Sequence, residues 1–164
     1  MKQPAIYDYI IIGAGSAGCV LANRLSANLK HKGVLLEAGP SDRRFYIQMP
    51  IGYGKTFYQP KVNWMYQSEA SEGLNGRASY WPRGKTLGGS SSINAMVYVR
   101  GNASDFDDWR DAGNKGWGYQ DLLPYFKGME SWQQGADDYR GGDGPLNVAD
   151  VAGKLHPLCK PVVA

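Results

Sequence analysis

Three glycines and one carboxylate carry the first chemistry legible in the chain. Gly13, Gly15 and Gly18 stand at the spacing G-x-G-x-x-G, and Glu37 follows nineteen residues after Gly18. A pyrophosphate is bound by backbone amides brought close and aimed at it, and a helix N-terminus supplies them together with the positive end of its dipole. Side chains at that point would only obstruct. In such a turn Gly13 permits the sharp change of direction, Gly15 the close approach to phosphate, and Gly18 the tight packing of helix on strand. A carboxylate at Glu37 then accepts hydrogen bonds from both hydroxyls of an adenosine ribose and repels a 2′-phosphate. Ala38 and Gly39, not an arginine, come next, so an NADP-type cofactor is disfavoured.

In a chain with 22 glycines such a triplet also arises by chance, and an ordinary glycine turn in an α/β domain is the plain alternative. The surrounding elements decide between them. Tyr7 to Ile12 ends in the β-branched run Ile10, Ile11 and Ile12, which suits a strand covered on both faces of a parallel sheet. Beyond the glycines, Ala17, Leu21 and Leu25 recur every four residues with Ala22 beside them, predicting an amphipathic helix that packs back on the sheet. Gly33 breaks it, and Val34 to Leu36 form a second buried run that closes on Glu37. Residues 1–40 therefore read as a strand–helix–strand unit that binds a dinucleotide.

A second cluster lies in the middle of the chain. Gly84, Gly88 and Gly89 with Ser90, Ser91 and Ser92 make a loop of unencumbered amides and hydroxyls, and serines at a helix start cap its free N–H groups. Arg83 and Lys85 add positive charge beside it. The loop reads either as a second anion cradle or as a serine-rich turn ahead of a buried segment. Val97-Tyr98-Val99 has the composition of a strand.

Composition narrows the rest. With 164 residues the chain holds one domain-sized core, or a domain and part of another. The 18 basic and 15 acidic residues are dispersed without a block of one sign, which gives no reason to expect a nucleic-acid partner. No apolar run is long enough for a bilayer, and the start of the chain lacks a signal-peptide layout, so a cytoplasmic protein is expected, with peripheral attachment at an inner membrane left open. Cys19 and Cys159 are too few for a disulfide framework or a metal knuckle, and His31 and His156 read as surface histidines. No metal site is expected.

Between Arg43 and Asn75 the periodicity dissolves into a Tyr-, Gly- and Pro-rich connection of the kind that often passes over a ligand. Within it Trp64 to Gln67 read as a short strand whose aromatics serve packing, and Gly73 to Arg77 as a turn. Asp105 to Trp109 begin a short helix. Asp121 to Met129 form another, with Leu122, Phe126 and Met129 on one face and Pro124 placed in its first turn. Leu146 to Val148 are a short strand, and from Asp150 the chain runs on as though ending within an element.

The first stretch, YDYIIIGAGSAGCVLANRLS with LLEAG, joined to PRGKTLGGSSSINAMVYVRGNASDFDDW, resembles the glucose-methanol-choline family of FAD-dependent oxidoreductases, nearest its bacterial choline and aliphatic-alcohol dehydrogenases. The likeness runs from about Tyr7 to Val148. It implies an α/β, Rossmann-like FAD-binding domain followed by the beginning of an α+β substrate domain, with residues 41–110 completing the cofactor region and 111–164 opening the next, truncated domain. By position, Ser16 and Ala17 would meet the pyrophosphate and Glu37 the ribose. Gly88 lies in the second signature, where Ser90, Asn94, Ala95 and Val97 would contact ribitol or isoalloxazine. Members that attach FAD covalently carry a histidine where this chain has Ile93, so FAD is expected to be held non-covalently.

The resemblance further implies oxidation of a primary alcohol, choline or an aliphatic alcohol, to an aldehyde by hydride transfer to flavin N5. The family's catalytic base is a histidine far beyond residue 164, and no catalytic residue is assigned here. The chain is expected to be an inactive N-terminal fragment, with the alcohol and the electron acceptor undetermined. A nicotinamide-dependent dehydrogenase would share the first motif, yet has no reason to carry LGGSSSIN and would lack its Tyr-x-x-x-Lys pair. A self-contained, non-catalytic FAD-binding module is the other alternative.

Overall fold

A computed structural model of the chain describes residues 5–151 and 153. The chain divides into two compact units, one up to Val97 and one from Tyr98.

In the first unit the glycine motif joins strand β1 (Tyr9–Ile12) to helix α1 (Ser16–Ser26), and α1 leads to strand β2 (Gly33–Leu36). β1 and β2 pair in parallel, with Ile10 opposite Val34 and Ile12 opposite Leu36. That is the predicted unit, with two differences. Ile11 is buried but Ile12 is 86 % exposed, so β1 is covered on one face only. A two-stranded sheet with a single helix supplies one covering layer, and the opposite face stays open. The helix also turns a different lane to the sheet. Ala17 and Leu21 are exposed, whereas Gly18, Ala22 and Leu25 lie on the covered side, Ala22 and Leu25 beside Ile11, Val34 and Leu35. The lane begins at the glycine because only there does the helix come close enough. A Cβ on Gly18 would stand 1.9 Å from the Gly13 carbonyl oxygen.

The long connection is not featureless. It forms two single-turn helices, α2 (Phe45–Gln48) and α3 (Tyr53–Thr56), then the antiparallel pair β3 (Tyr66–Gln67) and β4 (Tyr80–Trp81). Asn63, 2 % exposed, is its hub. Its amide nitrogen donates to the Phe57 carbonyl at 2.7 Å and to the Tyr80 hydroxyl at 3.1 Å, and its oxygen accepts from the amides of Met65 and Arg83, both at 2.9 Å. Both N–H donors and both lone pairs of the carboxamide are thereby used, which is what burial of a polar side chain demands.

The serine loop departs from the capping expected of it. Gly89–Ser92 form a 3₁₀ turn with Gly88 at φ +84°, and no helix follows until α4 (Ala103–Asp111). The hydroxyls of Ser91 and Ser92 donate backwards to the carbonyls of Gly88 and Leu87. Val97 to Val99 form no strand, because no neighbour pairs with them among the described residues and Val97 and Val99 stay exposed.

In the second unit α4 packs against α5 (Tyr119–Met129), and α5 runs directly into β5 (Glu130–Trp132), which pairs in parallel with β6 (Leu146–Val148). Pro124 is the sixth residue of α5, beyond the first turn predicted for it. Phe106 meets Trp109 and Phe126 at centroid distances of 5.7 and 5.4 Å. Glu130 is fully buried and bridges Arg140 at 2.8 Å and Arg100, whose guanidinium also lies over Phe126. His156, Cys159 and nearly all of the segment after Asp150 lie outside the described residues.

Candidate dinucleotide site

The site is assembled by the turns at the carboxyl end of β1 and β2, where open parallel sheets receive their ligands. Helix α1 begins there without a side-chain cap at Gly15 and without an acidic residue in its first turn. Its first described helical bond is donated by Cys19 to Gly15, which leaves the amides of Ser16, Ala17 and Gly18 at the exposed pole of the dipole. Nothing stands within 4 Å of where a Cβ on Gly15 would be, so that glycine is not explained by crowding inside the protein. An open backbone facing a cavity is what a phosphate requires.

Glu37 is held in place before any ligand is considered. Its Oε2 accepts the Ala14 amide and its Oε1 the Gly39 amide, each at 2.8 Å. A carboxylate offers about four acceptor sites, so roughly two remain for a diol. The bond from Ala14 ties the tip of β2 to the glycine turn, and the one from Gly39 folds the chain just beyond β2 back onto the same carboxylate.

The middle signature lies directly against this turn. The Gly88 amide donates to the Ala14 carbonyl at 2.7 Å, the hydroxyls of Ser16 and Ser91 are 2.9 Å apart, and a Cβ on Gly89 would come within 2.7 Å of the Gly15 Cα. Further back, the Leu87 amide and the Thr86 hydroxyl both donate to the Pro40 carbonyl. Two segments some seventy residues apart therefore share one wall.

Between them lies a cavity of about 830 Å³. Gly13, Gly15, Ser16, Ala17 and Gly18 line it from the first motif, Glu37 from β2, and Gly84, Gly89 and Ser90 from the second. Ligand clefts run to about 300–1,000 Å³, so the space suits a nucleotide cofactor. Gly88 stands behind the wall as its fastener. Asn94 lines a separate cavity of about 230 Å³ with Tyr46, Tyr53, Ser91 and Ser92, and its side-chain oxygen accepts the Met96 amide. Ala95 and Val97 line neither of these two cavities.

Residues that sequence spacing did not assign to the cofactor also line the large cavity, among them Trp64, Tyr66 and Arg83. Trp64 and Tyr66, read from sequence as packing residues, stack at 6.0 Å and remain 43 % and 53 % exposed. The two rings stack across Met65, and their i, i+2 spacing in an aromatic-rich stretch was the only signal in the sequence. Met65 between them has φ +55°, a sparsely occupied region for a side-chain-bearing residue. The Lys85 ammonium lies 4.5 Å from the Trp64 ring centroid.

His31 stacks edge-on against Tyr9 at 5.3 Å, at the start of β1 and away from the end that meets the cavity. Cys19 is exposed and unbridged. Among the described residues no group of three or more His, Cys, Asp and Glu side chains could hold a metal ion, and no helix is long and apolar enough to cross a membrane.

The chain is similar to known proteins along nearly all its length. It is 57 % identical over 153 residues to an oxygen-dependent choline dehydrogenase of Vibrio vulnificus, covering 93 % of this chain and 27 % of that protein. An alcohol dehydrogenase [acceptor] of Pseudomonas putida is 50 % identical over 159 residues, covering 96 % of this chain and 29 % of the relative. The crystal structure of pyridoxine 4-oxidase from Mesorbium loti superposes with a TM-score of 0.85 at 39 % identity, over 94 % of this chain and 30 % of that one. The chain thus spans between a quarter and a third of the length of these proteins. The family model described as GMC oxidoreductase matches residues 7–164, and the chain belongs to that family.

Proposed function

We propose that the chain binds FAD non-covalently and is the cofactor-binding part of an oxidoreductase that converts a primary alcohol, choline or an aliphatic alcohol, to an aldehyde. The observation that carries this reading is the meeting of the two signatures around one cavity, with Glu37 pinned by Ala14 and Gly39 at its edge. The uncapped start of α1, the open space at Gly15 and the cavity's size all fit a dinucleotide. The family and the relatives' names support a flavin and an alcohol.

In this reading the amides of Ser16 and Ala17 take the pyrophosphate, Glu37 takes the ribose hydroxyls, and Ser90 borders the flavin half, while Asn94, Ala95 and Val97, which do not line the large cavity, are kept as flavin contacts by the family resemblance alone. Bound FAD supplies an acceptor for hydride from the carbinol carbon. Ile93 is 2 % exposed and alkyl, so it offers no atom for a covalent link. Residues 1–110 form the cofactor region and 111–164 open the substrate domain. His31 is the one histidine among the described residues and lies at the wrong end of β1 to take a substrate proton. On this reading the 164-residue chain alone turns over no alcohol.

The test is a titration of the purified chain with FAD, NAD and NADP, followed by flavin fluorescence and gel filtration. FAD should co-elute and be released by denaturation. Retention of NADP in its place would overturn the reading, and measurable alcohol oxidation by the chain would overturn its inactivity.

A further inference from the structure

Two charged residues line the large cavity, Glu37 and Arg83. A dinucleotide brings a doubly negative pyrophosphate, and Glu37 adds a third negative charge nearby. The pole of α1 offsets roughly half a charge. A cation is needed to balance the cavity, and Arg83 is placed to supply it. We propose that Arg83 is a phosphate-binding residue, its guanidinium reaching the pyrophosphate of the bound dinucleotide; the proposal rests on the dinucleotide reading of the cavity.

The backbone of Arg83 is fixed on both sides. Its amide donates to the Asn63 side chain and its carbonyl accepts the Trp64 amide, each at 2.9 Å. The guanidinium carbon sits 5.0 Å from the Trp81 ring centroid, and Nη1 donates to the Pro82 carbonyl at 2.8 Å. That contact uses one of five N–H donors. A planar fork resting on an aromatic face, with most of its donors uncommitted, is the arrangement suited to two-pronged recognition of a phosphate.

Close backbone contacts lead from this arginine to the head of α1. A Cβ on Gly84 would come within 2.1 Å of Gly89, and one on Gly89 within 2.7 Å of Gly15. Gly84 is anchored in that position by its amide, which donates to the Ser90 hydroxyl at 3.0 Å. Arg83 is thus one residue removed from a stack of three backbones whose last member opens the helix. Lys85 does not compete for the role, because its ammonium lies over Trp64 and it does not line the cavity. A 2′-phosphate is not the partner, since Glu37 occupies the ribose edge.

The test compares the parent chain with Arg83→Gln and Arg83→Lys, using FAD, ADP and adenosine as probes at several salt concentrations. Arg83→Gln should weaken FAD and ADP roughly tenfold, as expected for loss of one charge-assisted contact. It should leave adenosine unchanged and flatten the salt dependence. Arg83→Lys should recover part of the loss, and it guards against a collapsed loop, since it keeps charge and stem. FAD binding undiminished in Arg83→Gln would overturn the proposal and leave the flavin reading intact. Equal losses for adenosine and ADP would overturn it too. If the parent ignores FAD yet binds ADP with the same dependence on Arg83, the flavin reading fails and this one stands. If the parent binds neither, both fall.

Discussion

Replacing Asn63 by alanine tests whether one buried carboxamide builds the cavity's far wall. The side chain makes four hydrogen bonds, two donated and two accepted, to partners between two and twenty residues away. At about 0.5–1.5 kcal/mol net for each bond, the loss sums to about 2–6 kcal/mol. Phe57, Met65, Tyr80 and Arg83 would each lose a partner, and the cavity left by truncation adds to the cost. For a chain of this size 1 kcal/mol shifts the melting temperature by about 2–4 °C, so Asn63→Ala should lower it by roughly 10 °C. Circular dichroism melts and urea titrations read this directly. Asn63→Asp sharpens the test, because it retains both accepted bonds and loses both donated ones. The introduced carboxyl is buried without a cation, which raises its pKa in the folded state above the unfolded value. Its neutral form is then favoured in the fold, so this variant should gain stability relative to Asn63→Ala as pH falls through that raised value. An alanine variant within 1 kcal/mol of the parent would refute the reasoning.

Three further outcomes follow from the packing. Gly18→Ala places a methyl 1.9 Å from the Gly13 carbonyl oxygen, so α1 must shift and FAD retention should be lost, which gel filtration with flavin detects. Glu130→Ala leaves Arg100 and Arg140 without their shared carboxylate, and should destabilise the second unit by about 3–5 kcal/mol in urea unfolding. The amides of Tyr139 and Arg140 hold the Asp137 carboxyl below the usual carboxylate range. Its contribution is present above the ordinary carboxylate pKa and lost as pH falls through the lowered native value, so Asp137→Asn should flatten the acid limb of a stability–pH curve.

The glycine turn and its strands were legible because each rests on neighbours in sequence: three isoleucines, three spaced glycines, one acid at the next strand's tip. Which lane of α1 faces the sheet was not legible. Periodicity gives an angle but not a depth, and the pattern of Ala17 and Leu21 outweighed the small residue that permits contact. Val97 to Val99 have strand composition, but a strand requires a partner, and no window of sequence supplies that. The Asn63 hub was invisible for a related reason. Its partners are spread from Phe57 to Arg83, and a single asparagine before a tryptophan carries no mark of burial. Trp64 and Tyr66 were seen as aromatic, and only the folded chain puts their exposed faces on the cavity. The glucose-methanol-choline resemblance named the signatures, while the structure showed that they touch.

The Ser16–Ser91 contact, with the bond between Gly88 and Ala14 beside it, spans 75 residues of sequence. During synthesis the first βαβ unit leaves the ribosome long before its other wall exists. Until Ser91 has emerged, a nascent chain holds only one wall of the cavity, so the cavity itself is completed by the later segment.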